Sequence, residues 1–355
     1  MDRPARGCSG PGRVVGPAVR AFRLLEERDR QAWDALAASH PAAGFMQSWA
    51  WSCFKELEGY RALRLGLVEG EALRGGALAY LFPGPAEADI LAIPDGPLLD
   101  WDAPCAADDF RSLIAAVRGL PQARKAALVR VEPRLAVLPA ALAGLPRAPV
   151  DLVPDETIEL ALGPDEAMLA AMKPKGRYNA RLGLRRGVEV SFSSDPSSVH
   201  EFYFVFEQTG RYQDFLVEPK SFFINLACSL PPGMCEFAFA RHKGMTLAAA
   251  LTLRHGGTAT YLYGGHLPLF AELMANYALH WEIMRRSARA GLRRYDLYGY
   301  VSPGRPGHPY DRFSRFKEKF GGKPVNRIGS RDVVFYDRLA EAALAVIAPS
   351  RRTSP

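Results

Sequence analysis

Six of the fourteen residues from Lys173 to Arg186, KPKGRYNARLGLRR, are Lys or Arg, and none is acidic. Such a run either offsets its self-repulsion with a phosphate-bearing partner or faces water as a solvated helix surface. Asp165 and Glu166 suit the first turn of a short helix before it, and Pro174 interrupts any smooth continuation. Lys173, Arg177 and Arg181 are spaced by four and share a face if the helix resumes. That face suits the phosphates of a transfer RNA acceptor stem, or a pyrophosphate. A second basic cluster, RFSRFKEKFGGK from Arg312 to Lys323, follows the Gly/Pro-rich loop VSPGRPGHPYDRF. There Arg315, Lys317 and Lys319 are interleaved with Phe313, Phe316 and Phe320, over too short a span to specify helix or strand. A lysine held in a cleft neutralises charge developing on a carbonyl oxygen during acyl transfer without itself titrating, and Lys317 is the first candidate for that work. The competing reading is an exposed strand lysine between core phenylalanines.

The remaining candidates each admit two readings. Lys55 contacts a phosphate or simply ends its helix favourably. Asp100, with Asp102 beside it, follows IPDGPLL, where a strand-end carboxylate orients or deprotonates an amine, or caps the next segment. Arg211 and Tyr212, expected just after a helix, suit a phosphate or peptide contact or a surface salt bridge. Tyr261 and Tyr263, beside Gly264 and Gly265, line a peptide channel or pack as a core strand. The histidines form no HExxH pattern, and the five cysteines show neither CxxC nor a Cys/His ligand cadence, so neither a metal nor a disulfide framework is expected. The absence of a GxGxxG fingerprint and of a P-loop argues against nucleotide redox chemistry and ATP hydrolysis, and no cofactor is expected.

The elements that must position these residues can be read from pattern. A chain of 355 residues, 48% apolar and 23% charged, is long enough for two domains with substantial cores. Its net charge of +7 favours a phosphate-bearing partner without choosing among nucleotide, lipid pyrophosphate and transfer RNA. No signal-peptide core or transmembrane run is evident, which predicts a cytoplasmic protein whose basic charge admits peripheral association with the inner membrane face. Residues 1–20 and 349–355 are predicted to be mobile. Phe45 to Leu57 reads as a helix, followed by a hairpin turning at Glu69 to Glu71, the strand ADILAIP, a helix over 109–118 and the strand KAALVRVEP. A similar order returns later, with a His-Gly-Gly hairpin turn, a helix over 272–290 capped at Gly291 and a short buried strand YDLYG. An internal duplication is the simplest reading, with residues 143–156 as the connection. The final apolar stretch, DVVFYDRLAEAALAVI, lacks a partner of its own and is expected to fold back on the first domain.

In this order, GFMQSWAWSCFKE, GPLLDWD, VRVEP, MKPKGRYNARLGLRRGVEV, EQTGRYQDF, YLYGGH, NYALHWEIM, YDLYG and RFKEKFGG resemble the Fem-type aminoacyltransferases that build the interpeptide bridge of bacterial peptidoglycan. The resemblance runs from about Phe22 to Phe335. It implies an α/β fold of two tandem GNAT-like acyltransferase domains, 20–150 completed by 325–348, and 151–324. No long charged heptad pair lies between Ser221 and Cys235, so the resemblance is to compact members without a helical arm. It further implies transfer of an amino acid from aminoacyl-tRNA to the stem-peptide amine of a muropeptide precursor, lipid II or UDP-MurNAc-pentapeptide. Lys317 would then stabilise the oxyanion or the tRNA end, Lys55 and Arg211 would bind the acceptor's phosphates, and Asp100, or Asp102, would orient the amine. An acyl-CoA-dependent GNAT enzyme and a noncatalytic RNA-binding module are the alternatives; the usual Q/RxxGxG/A pyrophosphate loop of the former is not visible.

Overall fold

The computed structural model describes residues 20–84, 88–305, 308 and 310–336. The ends expected to be mobile, except Arg20, and residues 337–348 of the returning C-terminal stretch lie outside the described residues. The first half builds β1 (Arg20–Leu24), α1 (Arg30–Ser39), α2 (Trp49–Leu57), β2 (Arg61–Glu69), β3 (Ala72–Phe82), β4 (Asp89–Pro94), α3 (Ala106–Gly119) and β5 (Ala126–Glu132). β2 and β3 form the expected antiparallel hairpin, while β4 and β5 run parallel with α3 as their crossover. These two strands are apolar almost throughout and nearly wholly buried, as parallel strands covered on both faces must be. Phe110, Leu113 and Val117 of α3, spaced by three and four, form the buried stripe that covers the sheet.

The second half builds β6 (Glu156–Ala161), α4 (Asp165–Ala171), α5 (Pro174–Arg185), β7 (Glu189–Ser193), α6 (Val199–Gln213), α7 (Lys220–Ser229), β8 (Cys235–His242), β9 (Met245–His255), β10 (Thr258–His266), α8 (Ala275–Arg289), β11 (Arg294–Asp296), α9 (Asp311–Lys317), β12 (Lys323–Asn326) and β13 (Arg331–Val334). Its sheet has the order β12-β6-β11-β10-β9-β8-β7, and the first sheet has the order β1-β2-β3-β4-β5-β13. The last strand therefore returns to the first sheet, antiparallel to β5. A buried fork of hydrogen bonds from Arg130 to Asp332, both 2.8 Å, joins these two strands. No helix of the described residues is long and apolar enough to cross a membrane.

The two sheets repeat one pattern, a parallel strand pair joined by a helix, but differ where it matters for a site. After a shift at Asp89, β4 and β5 stay in register from Ile90 to Pro94, whereas β10 and β11 pair only from Thr258 to Thr260. Beyond that point β10 carries a bulge between Tyr261 and Tyr263, the chain after β11 turns away, and the strands part. The halves are welded by one core in which Trp33, Phe45, Trp51 and Phe54 meet Phe202, Phe222, Phe223 and Phe237. Within it, Phe54 packs edge-on against Phe222 at 5.1 Å between ring centroids.

Several local expectations are corrected. The helix read from Phe45 to Leu57 is a 3-10 turn over Phe45–Gln47 and then, after the extended cap Ser48, α2 from Trp49. α8 begins at Ala275 rather than 272, because a separate 3-10 turn over Ala271–Leu273 lies between Phe270 and Met274, both at positive φ. Arg211 and Tyr212 lie within the last turn of α6 rather than after it. YDLYG is strand only as far as Asp296, since Tyr298 and Gly299 take φ of 49° and 42°.

Candidate active site

The basic run is helical, with Pro174 at its first turn, where a missing N–H costs nothing. Gly176 gives it its seat: a Cβ there would lie 1.9 Å from the Lys319 carbonyl oxygen, so only glycine permits the approach. Lys173 pairs with Glu318 at 2.9 Å, Arg177 donates to the Leu169 carbonyl at 3.2 Å, and Arg181 is exposed. The run thus buttresses the segment that carries Lys317.

That segment is α9. Phe316 and Phe320 pack against Tyr277 and His280 of α8, with ring centroids 5.0 to 5.6 Å apart. Ser314 accepts from the Val301 amide at 3.0 Å and donates to the Tyr310 carbonyl at 2.8 Å, fixing the start of the helix. Lys317, at its end, is only 7% exposed, and the strand-lysine reading is corrected to a buried helical lysine. Its ammonium donates to the carbonyls of Tyr298 at 2.5 Å and Gly299 at 2.6 Å. Those carbonyls are presented by the two left-handed residues, and a Cβ on residue 299 would strike the Tyr310 ring at 2.8 Å. An ammonium has three donors, so one N–H of Lys317 has no protein acceptor among the described residues. Burial pushes Lys317 down to about 7, and Asp296 opposes the fall.

Asp296 anchors the turn. Fully buried, it accepts from Thr157 at 2.5 Å and from the Tyr298 amide at 2.8 Å, and it pairs with Arg134 at 2.7 Å and Arg327 at 3.3 Å. These contacts hold its carboxyl at about 2 against the desolvation that would raise it. Behind Tyr261 lies fully buried His280, bonded through Nδ1 to the Tyr295 hydroxyl at 2.8 Å. Burial, reinforced by the charge of Lys317, pushes it down to about 3, so it is neutral at pH 7.

Where β10 and β11 part, a cavity of about 390 Å³ opens, lined by Lys317, Tyr261, Tyr263, Tyr298, Tyr310 and Phe316 among others. Of the candidate site residues read from the sequence, it brings together Lys317, Tyr261 and Tyr263, and the neighbouring Gly264, Gly265, Phe313 and Phe316 line it too. The others do not line it. Lys55 lies half-buried against the Tyr60 ring at 4.0 Å, lowered to about 8 by burial despite Glu58 and Glu218. Arg211 is exposed and pairs with Glu207 at 3.2 Å, and Tyr212 is 66% exposed. Arg315 is exposed beside the buried Lys317. Asp100 and Asp102 are exposed, Asp100 near His40, which lines a separate cavity of about 180 Å³ between the two halves. There Arg134, Glu159 and Arg327 are already paired with one another or with Asp296.

Sequence reasoning missed Asp296, Tyr298, Tyr310 and the buried Asp95 that approaches Arg134 at 3.9 Å. The signals were an acid inside an otherwise aromatic buried strand, and the aspartate of IPDGP rather than those that follow it. The buried geometry offers one hydrogen-bond donor, partly or wholly cationic near neutrality, at the end of an aromatic cavity. It fits stabilisation of a developing oxyanion.

Residues 173–312 match a family profile described as an acetyltransferase (GNAT) domain. No curated protein matches the chain. Among solved structures, that of FemX is 18% identical, with 91% of this chain and 99% of that chain covered and a TM-score of 0.81. A tandem GNAT protein from the clavulanic acid biosynthesis pathway is 12% identical, with coverages of 89% and 98% and a TM-score of 0.53. A conserved protein of unknown function from Bacteroides thetaiotaomicron is 12% identical, with coverages of 88% and 99% and a TM-score of 0.57. These likenesses establish the fold: the chain is an α/β protein with two GNAT-like modules, each a sheet flanked by helices.

Proposed function

We propose that this protein of two GNAT-like modules is an amide-forming acyltransferase, with Lys317 as its oxyanion donor. In this reading it moves an aminoacyl group from aminoacyl-tRNA to the stem-peptide side-chain amine of lipid II or UDP-MurNAc-pentapeptide. The observation that carries the reading is the buried Lys317 ammonium, held by two carbonyls with one N–H to spare, in the cavity where the parallel strands part.

The neutral amine attacks the ester carbonyl carbon, forming the C–N bond while the carbonyl electrons move to oxygen. The spare N–H of Lys317 meets that oxyanion in a water-poor site, where its charge is worth more than in bulk water. Collapse of the tetrahedral adduct breaks the C–O bond, the tRNA ribose oxygen leaves, and the proton lost by the amine ends on that oxygen. No covalent enzyme intermediate and no cofactor are needed. The exposed Lys173, Arg181 and Arg315, with Arg177, supply the basic surface for the tRNA acceptor arm, and Lys55 and Arg211 are assigned to acceptor phosphates. Asp100, with Asp102 as the neighbouring choice, keeps its assignment to amine orientation on the family resemblance alone, since neither lines the cavity. Peripheral attachment to the inner membrane face would bring a cytoplasmic enzyme to lipid II.

The acyl-CoA alternative is disfavoured by the segment joining β10 to α8. That segment carries Leu269, Phe270 and Met274 and no glycine, so it offers no glycine-rich turn whose backbone amides could cradle a pyrophosphate. The reading is tested by incubating a charged-tRNA pool with UDP-MurNAc-pentapeptide or lipid II and measuring the intact mass of each acceptor. A gain of one amino-acid residue, abolished by prior ribonuclease treatment, is expected. Salt-sensitive RNA binding with no mass gain on either acceptor would instead leave a noncatalytic RNA-binding module.

A further inference from the structure

Resting on the reading of the Lys317 cavity as the acyl site, we propose that the acyl group it accepts carries a bulky, apolar, uncharged substituent. The walls beyond Lys317 are mostly apolar, with Phe206, Phe215, Leu247, Tyr263, Phe313 and Phe316 outweighing the uncharged polar side chains of Thr209, Gln213 and Asn276, and the space is about 390 Å³. An acyl group with a hydrogen or a methyl as its side chain leaves most of that aromatic wall without contacts, whereas a branched or aromatic side chain recovers them.

Charge points the same way. Among the described residues no Asp or Glu lines the cavity, so a cationic side chain would lose its water and find no carboxylate in exchange. The cations that line it are Lys317 and Arg312, and Arg312 is exposed and donates to the Gln213 carbonyl at 2.8 Å. An anionic side chain would draw on the spare N–H of Lys317 and so compete with the oxyanion that this donor serves. The Tyr261 and Tyr263 hydroxyls, raised by burial, stay neutral and supply no counter-charge. An α-ammonium is common to every aminoacyl donor and does not discriminate among them. The same apolar substituent can arrive on an aminoacyl ester or on an acyl thioester, and the test separates the two.

Full-length protein is titrated calorimetrically with hydrolysis-resistant 3′-aminoacylamino-3′-deoxyadenosines carrying glycyl, leucyl, phenylalanyl, lysyl and glutamyl groups, and in parallel with acetyl- and hexanoyl-CoA. Since each methylene in an apolar pocket discriminates by about 10- to 200-fold, the leucyl or phenylalanyl compound is expected to bind at least ~10-fold tighter than the glycyl one. The lysyl and glutamyl compounds are expected to bind more weakly than the glycyl. Phe270→Glu adds a carboxylate on the exposed rim of the cavity and is expected to raise the relative affinity of the lysyl compound. Glycyl binding as tight as leucyl, or charged side chains preferred, would overturn the assignment while leaving the acyl-site reading standing. Binding of hexanoyl-CoA over acetyl-CoA with no nucleoside compound bound would keep the apolar substituent and overturn the aminoacyl donor. No binding in either series would overturn both.

Discussion

Lys317→Met is expected to reduce turnover about 10²- to 10³-fold, a loss of ~2.7–4 kcal/mol of transition-state stabilisation, with KM little changed and the fold retained. Methionine keeps the length and apolar stem of the side chain while removing the donor. The same variant carries a stability signature that a bystander lysine would not show. Burial lowers Lys317 from 10.5 to about 7, so between those values the unfolded chain binds more protons than the folded one. Wild-type stability therefore rises with pH across that window, and the full cost of burying the charge is present below about 7. Methionine binds no proton. The stability of Lys317→Met relative to wild type should be greatest near pH 6 and should fall by about 2–3 kcal/mol between pH 7 and 9. Urea unfolding of both proteins at several pH values checks this, and parallel stability curves would remove the depressed ammonium from the account.

Asp296→Asn is expected to destabilise the protein by roughly 3–5 kcal/mol at pH 7, because it deprives Arg134 and Arg327 of their nearest carboxylate in a buried site. The sign of its pH dependence is opposite to that of Lys317. With a folded value of about 2 against 3.8, the Asp296 contribution is present above about 4 and is lost as pH falls through about 2. The two proteins should therefore converge in stability at strongly acid pH. Asparagine also withdraws the charge that holds the Lys317 value up, so the alkaline limb of kcat should move to lower pH while KM changes little. A variant as stable as wild type at pH 7, or one whose kcat–pH profile is unmoved, would separate Asp296 from the site.

How much of this was legible in the sequence follows from how local each signal is. The hairpin turning after Glu69 and the one at His255–Gly256–Gly257 were readable because turn residues and alternating strands act within a few positions. The cap at Gly291, with φ of 79°, is equally local. The repeated strand–helix–strand order also survived translation into two sheets. α9 was ambiguous, although Phe313, Phe316 and Phe320 carry the three-and-four spacing of a helix face, because seven residues give either period too little room. What makes Lys317 a candidate, its burial against Tyr298 and Gly299, depends on two left-handed residues nineteen and eighteen positions earlier. Asp296 meets Arg134 across 162 positions, and no periodicity reports such a pairing. Asp100 draws attention because carboxylates after strands often do chemistry, yet the fold leaves it exposed and buries Asp95 and Asp296 completely.

The claim that Lys317 serves the transition state rather than the fold or ground-state binding is tested most directly with a phosphonate analogue of the tetrahedral adduct, joining the donor nucleoside to the acceptor amine. Its affinity is compared with that of the matching planar amide in wild type and in Lys317→Met. The account predicts that the variant loses about 10²-fold or more in affinity for the phosphonate and little for the amide. Equal losses for both ligands, or no loss for either, would contradict it.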